Sequence, residues 1–274
     1  MFVARAGLDH PDLALPLLAG LTPRWSSEWP LRPFLETHPE VTYGYLERWV
    51  TDPDEHVRRL VSEGTRPRLP WASRLRASVE DPRRGASLLE PLVDDPSPLV
   101  RRSVANHLND ISKDHPDLAV EMARRWLARG EAAAWTVRHG LRTLVKSGDP
   151  EALEVVGVST DAQVEVVGFG VTPLTVSIGE SVALTISVAL PDTAEEADVV
   201  IDYRVHHQGA RGRRAPKVFK ITRRHLAPSR PQTITKEHRF EHLSIRRIYP
   251  GPHIIDVQVN GTVVRCATVE VLDS

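Results

Sequence analysis

Asp52-Pro53-Asp54-Glu55-His56-Val57-Arg58-Arg59-Leu60-Val61 is matched 43 residues later by Asp95-Pro96-Ser97-Pro98-Leu99-Val100-Arg101-Arg102-Ser103-Val104. A third, weaker copy, Val137-Arg138-His139-Gly140-Leu141, follows Val100 by 37 residues. Repeats of about 40 residues built from two helices are the mark of HEAT-type α-solenoids. The Asp-Pro pair suits a helix start, because proline is tolerated in the first turn and an aspartate before it can cap free N–H groups. The first helix of each pair is expected over the preceding apolar stretches, residues 41–50, 87–93 and 118–127. The second helices bury Val57, Leu60 and Val61, then Val100, Val104, Leu108 and Ile111, then Val137, Leu141, Leu144 and Val145. Stacked, these second helices line a concave surface suited to a long partner.

Beyond residue 157 the period changes from helical to alternating. Val182, Leu184, Ile186, Val188 and Leu190 share one strand face, and Val199, Ile201, Tyr203 and Val205 repeat the pattern. Ile255, Val257 and Val259 lead into Asn260-Gly261, a hairpin signal, then Val264 and Cys266. About seven short strands in about 110 residues indicate an immunoglobulin-like sandwich. The expected architecture is multi-domain, α then β: a HEAT-like α-solenoid over 1–157, followed by an immunoglobulin-like β-sandwich over 158–274. Apolar residues make up 41% and charged residues 26% of the 274-residue chain, an ordinary globular composition. No apolar run reaches the length of a membrane span, and MFVARAGLDHPDLALP is a poor secretory signal. The single cysteine, Cys266, permits no internal disulfide, which favours a reducing, cytoplasmic setting. Its alternation with Val264 places it in the sandwich core.

The net charge of −1 divides into −2 and +1 for the two halves, so neither half is a polycation. Distribution is more informative. Arg59 and Glu63 lie four apart beside the first buried stripe. Arg102, Asn106, Asp110 and Lys113 form a ridge on the second, and Arg138, Arg142 and Lys146 a basic ridge on the third. Such ridges are read either as solvated helix faces or as a groove that grips phosphates with its cations and sets carboxylates near something positive. All six tryptophans lie in the helical half. Trp49 and Trp126 fit core positions. Trp25, Trp29 and Trp71 fall in arginine- and proline-rich loops, where they either cover a repeat junction or stack on bases and sugars. In the second half, seven of the fourteen residues 211–224 are basic and none is acidic: Arg211, Arg213, Arg214, Lys217, Lys220, Arg223 and Arg224, with Arg246-Arg247 nearby. This is either a phosphate-contacting patch or a loop without a partner. No phosphate loop, HExxH or nucleophile elbow occurs, and nothing near His238 and His242 completes a zinc site. No metal or cofactor is expected.

Ser27-Glu28-Trp29-Pro30-Leu31-Arg32-Pro33-Phe34-Leu35, the run from Val57 to Trp71, the run from Ser103 to Pro116, and His139-Gly140-Leu141-Arg142-Thr143-Leu144-Val145-Lys146-Ser147-Gly148-Asp149-Pro150 resemble the AlkC branch of the AlkC/AlkD DNA alkylation-repair glycosylases. The likeness covers roughly residues 20–155, and some members add a C-terminal immunoglobulin-like domain. It implies a monofunctional glycosylase that removes cationic N-alkylated bases, 3-methyladenine and 3-methylcytosine, from duplex DNA held in the concave groove. Glu28, Glu63 and Asp110 fall where the family's motifs hold acids at the lesion, and Trp71 where they hold an aromatic. With Trp29 it is expected to stack on the lesion. Arg59, Arg66, Arg68, Arg102, Asn106, Lys113, Arg138, Arg142, Lys146, Arg211, Arg213 and Arg214 are the expected DNA contacts, made by a cytoplasmic monomer. Members carry further helical repeats ahead of the Ser-Glu-x-x-x-Arg-Pro-Phe motif. Only about 25 residues precede it here, so either the groove is short at that end or the chain begins at an internal start. In that case an apolar helix face is left exposed and DNA is held less tightly. The alternative reading is a HEAT scaffold that binds DNA or a protein strand without catalysis, which would have no need of carboxylates beside arginines.

Overall fold

The computed structural model describes residues 2–210, 212–244 and 246–273, and divides into two compact units, Met1–Leu144 and Val145–Ser274. The helices are α1 (Phe2–Ala6), α2 (Pro11–Leu21), α3 (Glu28–Thr37), α4 (Pro39–Trp49), α5 (Glu55–Gly64), α6 (Arg76–Glu80) and α7 (Arg83–Ser87). A 3-10 turn at Glu90–Leu92 follows, then α8 (Pro98–Ile111), α9 (Pro116–Leu127), α10 (Glu131–Gly140), α11 (Arg142–Ser147) and α12 (Pro150–Val155).

In the first unit α3 packs on α5, α5 on α8 and α8 on α10, while α2 packs on α4. The repeated Asp-Pro-x-x-x-Val-Arg string has a structural cause. Asp52 and Asp95 do not cap the helices, as expected, but close tight turns by accepting from the N–H groups of Asp54 and Ser97 at 2.8 Å each. The caps stand two residues later, at Asp54 and Ser97. Arg58 donates to the carbonyls of Asp52 and Pro53 and grips the Asp95 carboxylate at 2.7 and 3.0 Å, tying one repeat to the next. Gly64, at the end of α5, allows close approach, since a Cβ there would lie 2.5 Å from Leu31 Cδ2. The sequence carries a second repeated signal. Asp9-His10-Pro11-Asp12-Leu13-Ala14 recurs as Asp114-His115-Pro116-Asp117-Leu118-Ala119, and α2, α4 and α9 each start at His-Pro-acid. Leu13 and Leu17 of α2 are exposed.

Two expected helices differ. Residues 87–93 form the end of α7 and the 3-10 turn, not a full first helix. The third basic ridge is broken, because α10 ends at Gly140 and α11 starts at Arg142, so Arg138, Arg142 and Lys146 do not share a continuous helix face.

The second unit contains β1 (Glu165–Thr172), β2 (Thr175–Ser177), β3 (Ser181–Ala189), β4 (Ala197–His206), β5 (Gln208–Gly209), β6 (Gly212–Arg213), β7 (Lys217–Leu226), β8 (Gln232–Arg239), β9 (Gly251–Val259) and β10 (Thr262–Leu272). One sheet has the order β1-β3-β8, another β2-β10-β9-β4-β7, and β5-β6 form a small ribbon. The alternating residues of β3, β4 and β9 fill the space between the two larger sheets. Asn260 and Gly261 both have positive φ, 49° and 80°, as a two-residue hairpin requires. Cys266 is exposed, contrary to expectation. A bulge between Val263 and Arg265 inserts one residue and shifts the inward positions to Ala267, Val269 and Val271. The basic run 211–224 also differs from a single loop, for Lys217 onward is the edge strand β7.

Three histidines are buried near Tyr203 and Phe240 in this unit. Burial, aided by the positive charge of Arg246, pushes His207 down to about 3 and His238 to about 4, and burial lowers His253. In the helical unit, burial takes His107 to about 4. These groups are neutral when folded and titrate near 6.5 when unfolded, so the unfolded chain takes up protons first. Their stabilising contribution is complete above about pH 6.5 and is lost as pH falls toward 4. Thermal melting between pH 7.5 and 5 is predicted to show a falling Tm. His207→Phe, which removes a ring whose two nitrogens lack hydrogen-bond partners among the described residues, is predicted to flatten that dependence.

Candidate active site

The helices α3, α5 and α8 carry Glu28, Glu63 and Asp110. On α5 the apolar stripe Val57, Leu60 and Val61 faces the core, and Glu63 lies at the edge of that stripe, 7% exposed. Asp110 is 1% exposed on α8. The residue between them is Arg66, also 7% exposed, in the loop after α5. Its Nη1 donates to Glu63 Oε1 at 2.7 Å and its Nε to Asp110 Oδ2 at 2.9 Å. The other oxygens are engaged as well. Ser103 Oγ donates to Glu63 Oε2 at 2.7 Å and Lys113 Nζ to Asp110 Oδ1 at 2.9 Å. Ser62 Oγ, 2.7 Å from Ser103 Oγ, extends this hydroxyl chain. Burial alone would lower the Arg66 pKa, but Glu63 and Asp110 together outweigh it and raise it. Charge-assisted bonds of this kind are short and fix the position of their partners.

Glu28 and Glu63 open into a cleft of about 460 Å³ whose aromatic walls are Trp25, Trp29 and Trp71. Ser26 Oγ donates to Glu28, and Arg59 stands 3.8 Å from its other oxygen. Trp71 is 90% exposed and has φ of +63°. A bulky residue at positive φ is strained, and strain of this kind collects at binding sites. Asp110 does not line the cleft; Arg66 separates it from Glu63.

The remaining expected contacts fall in several places. Arg59 pairs with Glu28 rather than with Glu63 one turn on. Arg66 is held between two carboxylates and is not free to meet a phosphate, contrary to its expected role. Arg68 makes a bidentate pair with Asp114 at 2.6 and 2.7 Å, Arg138 pairs with Glu131, and Arg142 Nη2 donates to Asn106 Oδ1 at 3.0 Å. Arg102 is exposed, and Lys146 belongs to the second unit. There, Arg211 and the side chain of Arg213 lie outside the described residues. Arg214 and Arg247 are exposed and flank the Tyr249 ring at 5.5 and 5.6 Å. Trp49 and Trp126 are buried. Sequence reasoning missed Ser26, Ser62 and Ser103, whose hydroxyls are spaced by no recognisable motif.

The chain is 36% identical over 262 residues to the uncharacterized protein YhaZ of Bacillus subtilis, covering 96% of this chain and 72% of that protein. Residues 165–273 match the family model of the YhaZ C-terminal Ig-like domain. The structure superimposes on the Pseudomonas fluorescens alkylpurine DNA glycosylase AlkC bound to DNA containing an abasic site analog. The TM-score is 0.94 at 36% identity, over 99% of this chain and 75% of that one. The chain belongs to the AlkC/YhaZ family. The similarity to AlkC extends over both units, so the expected order of an AlkC-like helical domain and an Ig-like domain holds.

Within this family member the Arg66 bridge makes a quantitative prediction. Arg66→Met leaves the buried Glu63 without a cation and Asp110 with Lys113 alone, and is expected to cost about 3–5 kcal/mol in urea unfolding. Adding Glu63→Gln and Asp110→Asn to that variant is expected to recover part of the loss, because it removes the buried charges.

Proposed function

We propose that the protein is a monofunctional DNA glycosylase that hydrolyses the N-glycosidic bond of cationic N-alkylated bases, 3-methyladenine and 3-methylcytosine, in duplex DNA. The observation that carries this reading is the cleft, where two carboxylates meet three tryptophans in a chain that superimposes on AlkC along nearly its whole length. Duplex DNA is the partner, no metal or cofactor is needed, and the protein acts as a cytoplasmic monomer.

Alkylation at a ring nitrogen gives the base a positive charge. When the C1′–N bond breaks, its electron pair neutralises the base, which leaves without being protonated. The sugar becomes an oxocarbenium-like cation, and water adds to C1′, giving an abasic sugar, a free base and a proton. The site must therefore supply anions for the cation and a position for water, a division of labour shared with glycoside hydrolysis. Glu63, with both oxygens held by Arg66 and Ser103, is a fixed anion facing the cleft. Glu28 faces the same cleft with Ser26 and Arg59 for partners, and is placed to orient water. Asp110, itself paired with Lys113, acts through Arg66 by holding the guanidinium in place against Glu63. Trp25, Trp29 and Trp71 offer faces to the base and sugar. In the second unit, Arg214 and Arg247, which flank Tyr249, are two of the exposed cations and are offered to phosphates.

With methylated duplex DNA the protein is expected to release 3-methyladenine, measured by chromatography of the free bases. Glu63→Gln and Asp110→Asn are expected to slow release by on the order of 100-fold with DNA binding retained. Absence of release from the parent, with DNA still bound, would support the scaffold reading instead. Arg214→Ala and Arg247→Ala are each expected to reduce the salt dependence of DNA binding by about one phosphate contact. An unchanged slope would remove this patch from the interface.

A further inference from the structure

Arg32 stands one turn after Glu28 on α3 and is 3% exposed. Among the described residues its guanidinium makes no hydrogen bond to a carboxylate. Instead Nη1 donates to the carbonyls of Gly64 at 3.1 Å and Arg66 at 2.9 Å, and Nη2 to that of Ser73 at 2.5 Å. Gly64 ends α5, where the last carbonyls have no partner inside the helix. The other two carbonyls lie near opposite ends of the loop that carries Arg66 and Trp71. Among the described residues, that loop makes few backbone hydrogen bonds of its own: Arg66 N–H to Glu63, Ala72 N–H to Leu69 and Leu75 N–H to Pro67, all at 3.2–3.3 Å. One side chain from α3 thus supplies as many fixed points as the loop's own backbone. Burying the charge has a cost, seen in an Arg32 pKa lowered to about 10 by burial.

We propose that Arg32 is a positioning residue of the cleft. By holding the carbonyls of Gly64, Arg66 and Ser73, it keeps Arg66 between Glu63 and Asp110 and Trp71 beside Glu28. A lysine would keep the charge but not the planar fork that reaches three separated carbonyls, so charge alone does not meet the requirement. This inference deepens the glycosylase reading, on which its consequence for rate depends. Its consequence for the loop is independent of that reading.

The test uses the full chain as Arg32→Lys and Arg32→Gln, with Arg84→Ala, which removes the exposed pair of Arg84 with Glu40, as a comparison away from the cleft. Three quantities are measured: the single-turnover rate of base release from methylated duplex, the affinity for undamaged duplex, and the fluorine NMR resonance of Trp71 in fluorotryptophan-labelled protein, assigned with Trp71→Phe. Thermal melting identifies conditions in which each variant is folded. In those conditions both Arg32 variants are expected to release base about 100-fold more slowly, as misplaced reacting groups do, while affinity for undamaged duplex stays close to that of the parent. The Trp71 resonance is expected to move or broaden while those of Trp49 and Trp126 do not. Arg84→Ala is expected to change none of these. An unaltered rate and Trp71 resonance in folded Arg32→Lys would overturn the proposal, as would rate and affinity falling together in both variants. If the parent releases no base, the glycosylase reading fails, and the Trp71 resonance still decides the role of Arg32.

Discussion

A single guanidinium shared by two buried carboxylates sets the terms for the helical unit. Glu63 and Asp110 come from neighbouring repeats, and each would be costly to bury alone. Arg66 bonds to both, provided α5 and α8 stay at a separation its two donor edges can span. Several local features serve that separation. Arg58 ties one repeat to Asp95 of the next, Gly64 lets α3 and α5 close together, and Ser103 extends from α8 to the second oxygen of Glu63.

Repetition and function occupy different residues. Arg58 and Arg101, 43 residues apart, both wrap the Asp-Pro turn of their own repeat, which is a structural duty and accounts for the recurrence of the string. The positions of Glu63 and Arg66 are taken in the next repeat by Asn106 and Asn109. Asn109 there donates to the carbonyl of Gly140 at the end of α10, much as Arg32 does to Gly64 at the end of α5. The same scaffold therefore ends two helices in the same way, and only the first of them has acquired a charged bridge beside an open cleft.

The architecture was legible because period is a one-dimensional signal. The 43-residue repeat, the alternation of β4 and β9, and the Asn260-Gly261 turn each translate directly into geometry. The carboxylates and tryptophans of the cleft were found through the resemblance of their flanking motifs to a known family. Their pairing was not legible. Arg59 and Glu63 satisfy helical spacing, yet Arg59 pairs with Glu28, 31 residues earlier, and Glu63 with Arg66 just beyond the helix, because the loop after α5 folds back over the helix end. Arg66 read as a phosphate contact for the same reason: burial is a property of the loop's path, and spacing does not contain it. Cys266 was placed inward because a bulge shifts the period by one residue without leaving a compositional mark. The break at Gly140–Leu141 has a similar origin, since the residues on either side continue a helical pattern that the chain does not follow.

On the proposed function, the cleft holds a positive sugar. Affinity for a duplex carrying a cationic azasugar at one position, compared with a duplex carrying a neutral abasic analogue of the same size, measures this directly. The account predicts at least about tenfold tighter binding of the cationic sugar, as expected for a transition-state mimic, with the difference abolished in Glu63→Gln. Equal affinity for the two duplexes in the parent protein would contradict it.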